Sequence, residues 1–226
     1  MEYQIVTLPA KTVVGVACRT SRADPDLSDK IDALWARFAA CGLADAAEPV
    51  CYGLYTGYRL DSEAYDAVAA CARADCPPDC VQIEIPAGEY ARFAVRGDPK
   101  QALAPLWAAV NRLGLPRAWG VDFEEYRRAA DGTVETAVYV GLAAVCQSCG
   151  MPMARPADHG TERDGAPSPS YCTYCRQNGA FTYEATVEEQ VEINLRHMPL
   201  HGADTDGVRA RLLAYLPTLA RWRGEN

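Results

Sequence analysis

The chain has 226 residues, 49 % hydrophobic and 23 % charged, with a formal net charge of −8 at pH 7. That is the balance of a globular protein with room for one sizeable core and a small appendage. The acidity argues against DNA or RNA as a direct partner, since phosphate binding needs a positive surface, and no apolar run reaches the length of a membrane span. The opening Met1-Glu-Tyr-Gln has neither a basic n-region nor an apolar stretch, so a cytoplasmic protein with reduced thiols is expected.

In chain order, the first 143 residues contain one unit twice. Gln4–Arg19 and Val81–Arg96 both read as an apolar strand, a Pro-Ala break and a second extended run ending in arginine. Leu34–Leu43 and Leu106–Leu115 then read as the ends of amphipathic helices, each closed by a glycine suited to left-handed geometry. Asp98-Pro99 offers a cap and an N1 proline for the second helix, whose start Pro105 is expected to delay. Two extended segments follow each helix: Val50–Tyr58 and about 65–72, then Ala118–Tyr126 and Thr133–Leu142. Residues 62–75 are alanine-rich and favour helix by propensity, but the repeat sets them opposite a β-rich segment, so they are read as strand. The unit is β-α-β-β, duplicated. Two copies make an antiparallel sheet with helices on one side and a cleft between the halves, a natural small-molecule site.

Beyond the repeat come Cys146-Gln-Ser-Cys149 and Cys172-Thr-Tyr-Cys175, separated by 22 residues rich in Gly, Pro, Asp and Ser. Two such knuckles supply the four thiolates of a closed structural Zn2+ site, which leaves no open position for catalysis. His159 is a conceivable substitute ligand, but four cysteines fill the shell. The other six cysteines are scattered, and Cys71, Cys76 and Cys80 are spaced too irregularly to suggest a second metal site. Thr186-Val-Glu-Glu189 is a capping box ahead of one helix. Val208, Leu212, Tyr215, Leu216, Leu219 and Trp222 form the stripe of a second, ended or kinked near Pro217. His197 and His201 in this segment read as solvent-exposed or capping residues. The division expected is 1–143 for the duplicated α+β domain and 144–226 for the zinc ribbon with C-terminal helices.

Ile85-Pro-Ala-Gly-Glu-Tyr-Ala-Arg-Phe93, the helix containing Leu106-Trp107, and Phe123-Glu-Glu-Tyr126 resemble the GyrI-like effector-binding domain of multidrug-sensing and AraC-type regulators. Residues 146–152 and 171–179 resemble a zinc-ribbon family with Cys-Gln-Ser-Cys-Gly-Met-Pro at its start. The first resemblance implies a glutamate at the bottom of a cavity, pairing with cationic ligands; its F-E-x-Y pattern selects Glu124 rather than Glu125. Strand alternation puts Tyr126 on the face of Glu124. Trp107, Trp119, Tyr65 and Tyr52 lie on elements that can line the same cleft, where aromatic faces attract cations; singly, each also suits core packing. Trp35 and Trp107 hold equivalent repeat positions, and Tyr90 and Phe93 read as core.

The reading is a binding protein for a flat, cationic or amphipathic small molecule. One alternative, also implied by the resemblance, is a hydrolase of strained electrophiles with Glu124 as general base and Tyr126 as proton donor. Another is an adaptor that grips a protein partner through the ribbon. No helix-turn-helix precedes the first strand, so a regulatory role in transcription would need a partner.

Overall fold

A computed structural model describes residues 2–43, 50–59, 63–95, 98–129, 131, 133–198 and 204–224. Ser62, Arg96 and His201 lie outside the described residues. The chain divides into two compact units, Met1–Leu142 and Ala143–Asn226.

The first unit holds β1 (Gln4–Leu8), β2 (Lys11–Ser21), α1 (Leu27–Ala40), β3 (Val50–Arg59) and β4 (Ala64–Cys71), then β5 (Val81–Ile85), β6 (Gly88–Ala94), α2 (Pro99–Val110), β7 (Asp122–Arg128) and β8 (Val134–Gly141). Each copy is therefore β-β-α-β-β once the Pro-Ala break is counted as a boundary. All eight strands form one curled antiparallel sheet in the order β1-β6-β8-β7-β3-β4-β2-β5. Exchanging the two copies leaves that order unchanged, so the sheet has an internal pseudo-twofold between β3 and β7.

The Pro-Ala breaks are not hairpin turns. β1 pairs with β6 and β2 with β5, so each crosses to the other copy. Leu8 opposite Gly88 and Lys11 opposite Ile85 keep one register across the gap, which sets Pro9-Ala10 against Pro86-Ala87. Proline lacks an N–H for the ladder, and placing both breaks together confines the interruption to one point.

Alternation along the strands sorts the core into two faces. Tyr52, Leu54, Val68, Tyr90, Phe123 and Tyr139 pack on one face, with Phe123 and Tyr139 stacked at 4.5 Å. On the other face Tyr65, Ala67 and Ala69 meet Leu34 and Phe38 of α1, while Phe93, Val138 and Val140 meet Val110 and Trp107 of α2. Both helices thus cover the same side. The alanines of β4 make this close packing possible, which is why a helix-favouring composition occupies a strand: tertiary burial outweighs local propensity.

Two helix details differ from expectation. α2 begins at Pro99, with the Asp98 side chain accepting from Lys100 N at 3.0 Å, and carries Pro105 inside it rather than being delayed by it. Gly42 takes the left-handed conformation after α1 (φ 72°), but α2 ends at Val110 and Gly114 has no such geometry.

The second unit is built on short ladders: β9 (Ala144–Val145) with β10 (Pro152–Met153), β11 (His159–Thr161) with β12 (Pro167–Cys172), and β13 (Arg176–Gln177) with β14 (Ala180–Phe181). α3 (Val187–His197) starts at the capping box, Thr186 Oγ1 accepting from Glu189 N and Glu189 Oε2 from Thr186 N. α4 (Thr205–Tyr215) passes into a 3-10 turn at Leu216–Thr218, and α5 (Ala220–Arg223) follows. Among the described residues no helix is long and apolar enough to cross a membrane.

Candidate functional site

A cleft of ≈ 1270 Å³ opens in the first unit between α1, α2 and the sheet. Its floor is the helix-covered face of β3 and β7. Glu124 and Tyr126 share that face by alternation, and across the ladder Gly53 stands opposite Glu124. The walls are repeat-equivalent: Ile31 and Trp35 from α1, Leu103 and Trp107 from α2.

Glu124 is 3 % exposed and accepts three hydrogen bonds from neutral donors. Trp107 Nε1 donates to Oε1 at 2.6 Å, Tyr55 OH to Oε1 at 2.8 Å and Tyr126 OH to Oε2 at 2.5 Å. Burial raises its pKa above the usual carboxylate range, and bonds from Tyr126, Trp107 and Tyr55 oppose that rise. Among the described residues no cation neutralises it. Burial, followed by the charge of Glu124, pushes both phenols up, so Tyr55 and Tyr126 remain protonated donors. The twofold is broken in use: Trp107 donates to the carboxylate, whereas Trp35 packs edge-on against Tyr126 at 5.4 Å.

Of the residues singled out from sequence, Glu124, Tyr126, Trp107 and Tyr65 stand together in this cleft. Tyr52 is on the opposite face of the sheet, buried beside Phe123 and accepting from Lys11 Nζ at 2.8 Å. Trp119 is 37 % exposed and stacks over Arg117 rather than lining the cleft wall. Trp35, Tyr55 and Tyr58 line it instead. Tyr55 was accessible from register, since it lies two residues from Gly53. Tyr58 was not: the β3–β4 register shifts between Thr56 and Arg59, where Gly57 adopts φ 59°, and the bulge turns Tyr58 onto the cleft face.

A second polar group lines the same cleft. Arg117 and Asp122 form a buried ion pair, Tyr58 OH donates to Asp122 Oδ2 at 2.6 Å, and Gly141 N donates to Asp122 Oδ1 at 2.8 Å. The unit's floor is therefore anchored by one compensated charge pair and carries one uncompensated carboxylate.

In the second unit Cys146, Cys149, Cys172 and Cys175 gather with their sulfurs all within 4.8 Å of one another, the sole such group among the described residues. Cys149 and Cys172 Sγ are 3.7 Å apart; tetrahedral Zn–S bonds of about 2.3 Å place sulfurs about 3.8 Å apart. Cys172 N donates to Cys146 Sγ at 3.3 Å, which helps stabilise a thiolate. The donor set fits zinc in both softness and span. His159 is not in this group; its Nδ1 lies 2.8 Å from Ser168 O. His197 ends α3 exposed.

The C-terminal helices grip the first knuckle. Asn194 Nδ2 donates to Cys149 O at 2.8 Å, Trp222 Nε1 to Ser148 O at 2.7 Å and Arg221 Nη1 to Ser148 Oγ at 3.0 Å. Behind the second knuckle Tyr183 OH lies 3.4 Å from Cys175 Sγ and donates to the fully buried Gln190.

A family model of integron-associated effector binding proteins matches residues 4–142. The chain belongs to that family. A zinc ribbon domain model matches residues 145–223, and with the four-cysteine group it makes the second unit a metal-binding ribbon. Among solved structures, this effector-binding protein is similar to an integron cassette protein of Vibrio cholerae, at 25 % identity and a TM-score of 0.53, covering 62 % of this chain and 94 % of that one. It is also similar in fold to SAV2435, solved bound to tetraphenylphosphonium, at 18 % identity and a TM-score of 0.50, covering 62 % and 93 %. The fold is GyrI-like. No curated protein matches the chain.

Proposed function

We propose that the cleft binds a flat, aromatic, cationic molecule, with Glu124 as its counter-charge. The observation that carries this is a 3 %-exposed carboxylate held only by neutral donors, in a cleft walled by Trp35, Trp107, Tyr55 and Tyr126. A buried charge without a partner is costly, and a cation seated among aromatic faces repays that cost twice, by pairing and by cation–π attraction. Tetraphenylphosphonium, bound by the similarly folded SAV2435, shares the cationic charge and the aromatic surface, although its four rings are arranged tetrahedrally rather than in one plane.

A hydrolase would ask Glu124 to take a proton from water. Oε1 already accepts from Trp107 and Tyr55 and Oε2 from Tyr126, which blunts it as a base and favours binding over turnover. In the second unit one zinc ion is proposed, held by Cys146, Cys149, Cys172 and Cys175, with a folding role rather than a chemical one. A reduced, zinc-holding thiol set accords with a cytoplasmic location. For the adaptor reading the feature in favour is Tyr174, 70 % exposed in the second knuckle.

The test is tryptophan-fluorescence titration with tetraphenylphosphonium and neutral triphenylphosphine oxide, on the wild-type chain and on Glu124→Gln. Saturable quenching by the cation that weakens in the variant, with the neutral compound little affected, is expected. Equal cation affinity in both proteins would remove Glu124 from the proposal, and mass analysis of the same mixtures separates binding from hydrolysis.

A further inference from the structure

Asn111 Oδ1 accepts from two guanidinium groups at once, Arg117 Nη1 at 2.9 Å and Arg22 Nη2 at 3.2 Å. One carboxylate, Asp122, answers them, and it is already engaged by Arg117, Tyr58 and the Gly141 amide. Arg22, solvent-exposed at the cleft, forms no ion pair with any described residue, and water screens part of its repulsion from Arg117. Drawing two like charges onto one neutral amide oxygen is unfavourable, and a second anion would relieve it. Arg117 is 6 % exposed and its Nε is buried with no hydrogen-bond partner, so this guanidinium is one acceptor short and its charge is the costlier to hold. Arg22, Asn111, Arg117 and Tyr58 all line the cleft that contains Glu124.

We infer that the ligand is bipolar: a cationic aromatic body against Glu124 and an oxyanion, of the carboxylate type, against Arg22 and Arg117. This rests on the cation reading of the cleft and narrows it. A purely lipophilic cation satisfies the carboxylate but leaves the two guanidiniums sharing one amide oxygen. A zwitterionic ligand compensates both ends, and guanidinium groups are well suited to the planar, two-oxygen geometry of a carboxylate.

The experiment compares butyltriphenylphosphonium with carboxyalkyl-triphenylphosphonium compounds of three chain lengths, by calorimetry on the full zinc-loaded chain and on Arg22→Gln. At one chain length the carboxylate is expected to tighten binding about tenfold over the alkyl compound, the scale of one charge-assisted hydrogen bond. That ratio should fall to about one in Arg22→Gln, the loss of the same bond. A ratio near or below one at every length in the wild type, or an undiminished ratio in Arg22→Gln, would overturn the bipolar ligand while leaving the cation site standing. Failure of every phosphonium to bind would overturn the cation reading and this inference with it.

Discussion

Gly53 lies directly opposite Glu124 in the central β3–β7 pair, at the seam between the two copies of the repeat. A Cβ at Gly53 would stand 3.0 Å from Glu124 Oε2 and 3.4 Å from Trp35 Cζ2. The seam accommodates one carboxylate because the strand facing it presents no side chain. Gly53→Ala is expected to displace the carboxylate or the Trp35 ring, costing about 1–3 kcal/mol as overpacking does. Urea denaturation measures that loss, and phosphonium titration should register a matching drop in affinity; an alanine variant that keeps both would mean the seam is looser than its distances indicate.

Glu124 should make the ligand-free protein less stable as pH rises. Burial raises its pKa in the folded state, so folding favours the protonated form. Its stabilising contribution is fully present below the unfolded value of about 4.3, and is lost as pH rises through the raised folded value. The difference in melting temperature between wild type and Glu124→Gln, followed across that window, isolates this one group. The wild type should lose ground to the variant with rising pH; the reverse trend would show the carboxylate to be better compensated than its three neutral donors allow.

Cation binding should release protons. A positive ligand beside Glu124 lowers its pKa, so near the raised ligand-free value each binding event expels part of a proton. Calorimetry in two buffers of different ionisation enthalpy reads this directly. Release should peak near the raised value and vanish at higher pH, where the carboxylate is already ionised. Buffer-independent heats throughout would exclude Glu124 as the counter-charge.

Zinc retention should depend on the C-terminal helix as well as on the sulfurs. Cys175→Ser removes a ligand and is expected to abolish stoichiometric zinc, measured by native mass spectrometry. Trp222→Phe removes the bond from Nε1 to Ser148 O, worth about 1 kcal/mol, together with part of the ring surface that Arg221 stacks on and that packs in the C-terminal cluster, and should speed zinc transfer to a chelating dye severalfold while leaving stoichiometry at one. Unchanged transfer would mean that the knuckle holds its shape without the helix.

The duplication made much of the fold legible. It placed a strand at β4 against alanine's helical preference, because the equivalent β8 segment is rich in valine. What it did not reveal was pairing across copies, which depends on long-range register rather than on pattern. In the cleft, Glu124 and Tyr126 follow from a word of sequence plus alternation. Tyr52 and Tyr55 are alike in composition and differ only in phase, and the phase is fixed by which β3 residue faces Glu124. Tyr58 reaches the cleft through a bulge, and Asn111 and Arg117 lie in an aperiodic connection, where sequence spacing carries no directional information.

The crossing of β1 to β6 and of β5 to β2 bears on how such a molecule arises and matures. Severed in the connection before β5, the amino-terminal copy would keep a bare β2 edge, and the carboxy-terminal copy a bare β6 edge. Each remnant carries the strand that the other lacks. An ancestral single copy with this geometry would have completed itself only as a homodimer that traded outer strands between subunits, at the mercy of its own concentration. A single chain that carries both copies has no such dependence. It also lets the two facing seam positions differ, Gly53 on one strand and Glu124 on the other, an asymmetry no true dimer of identical chains can have.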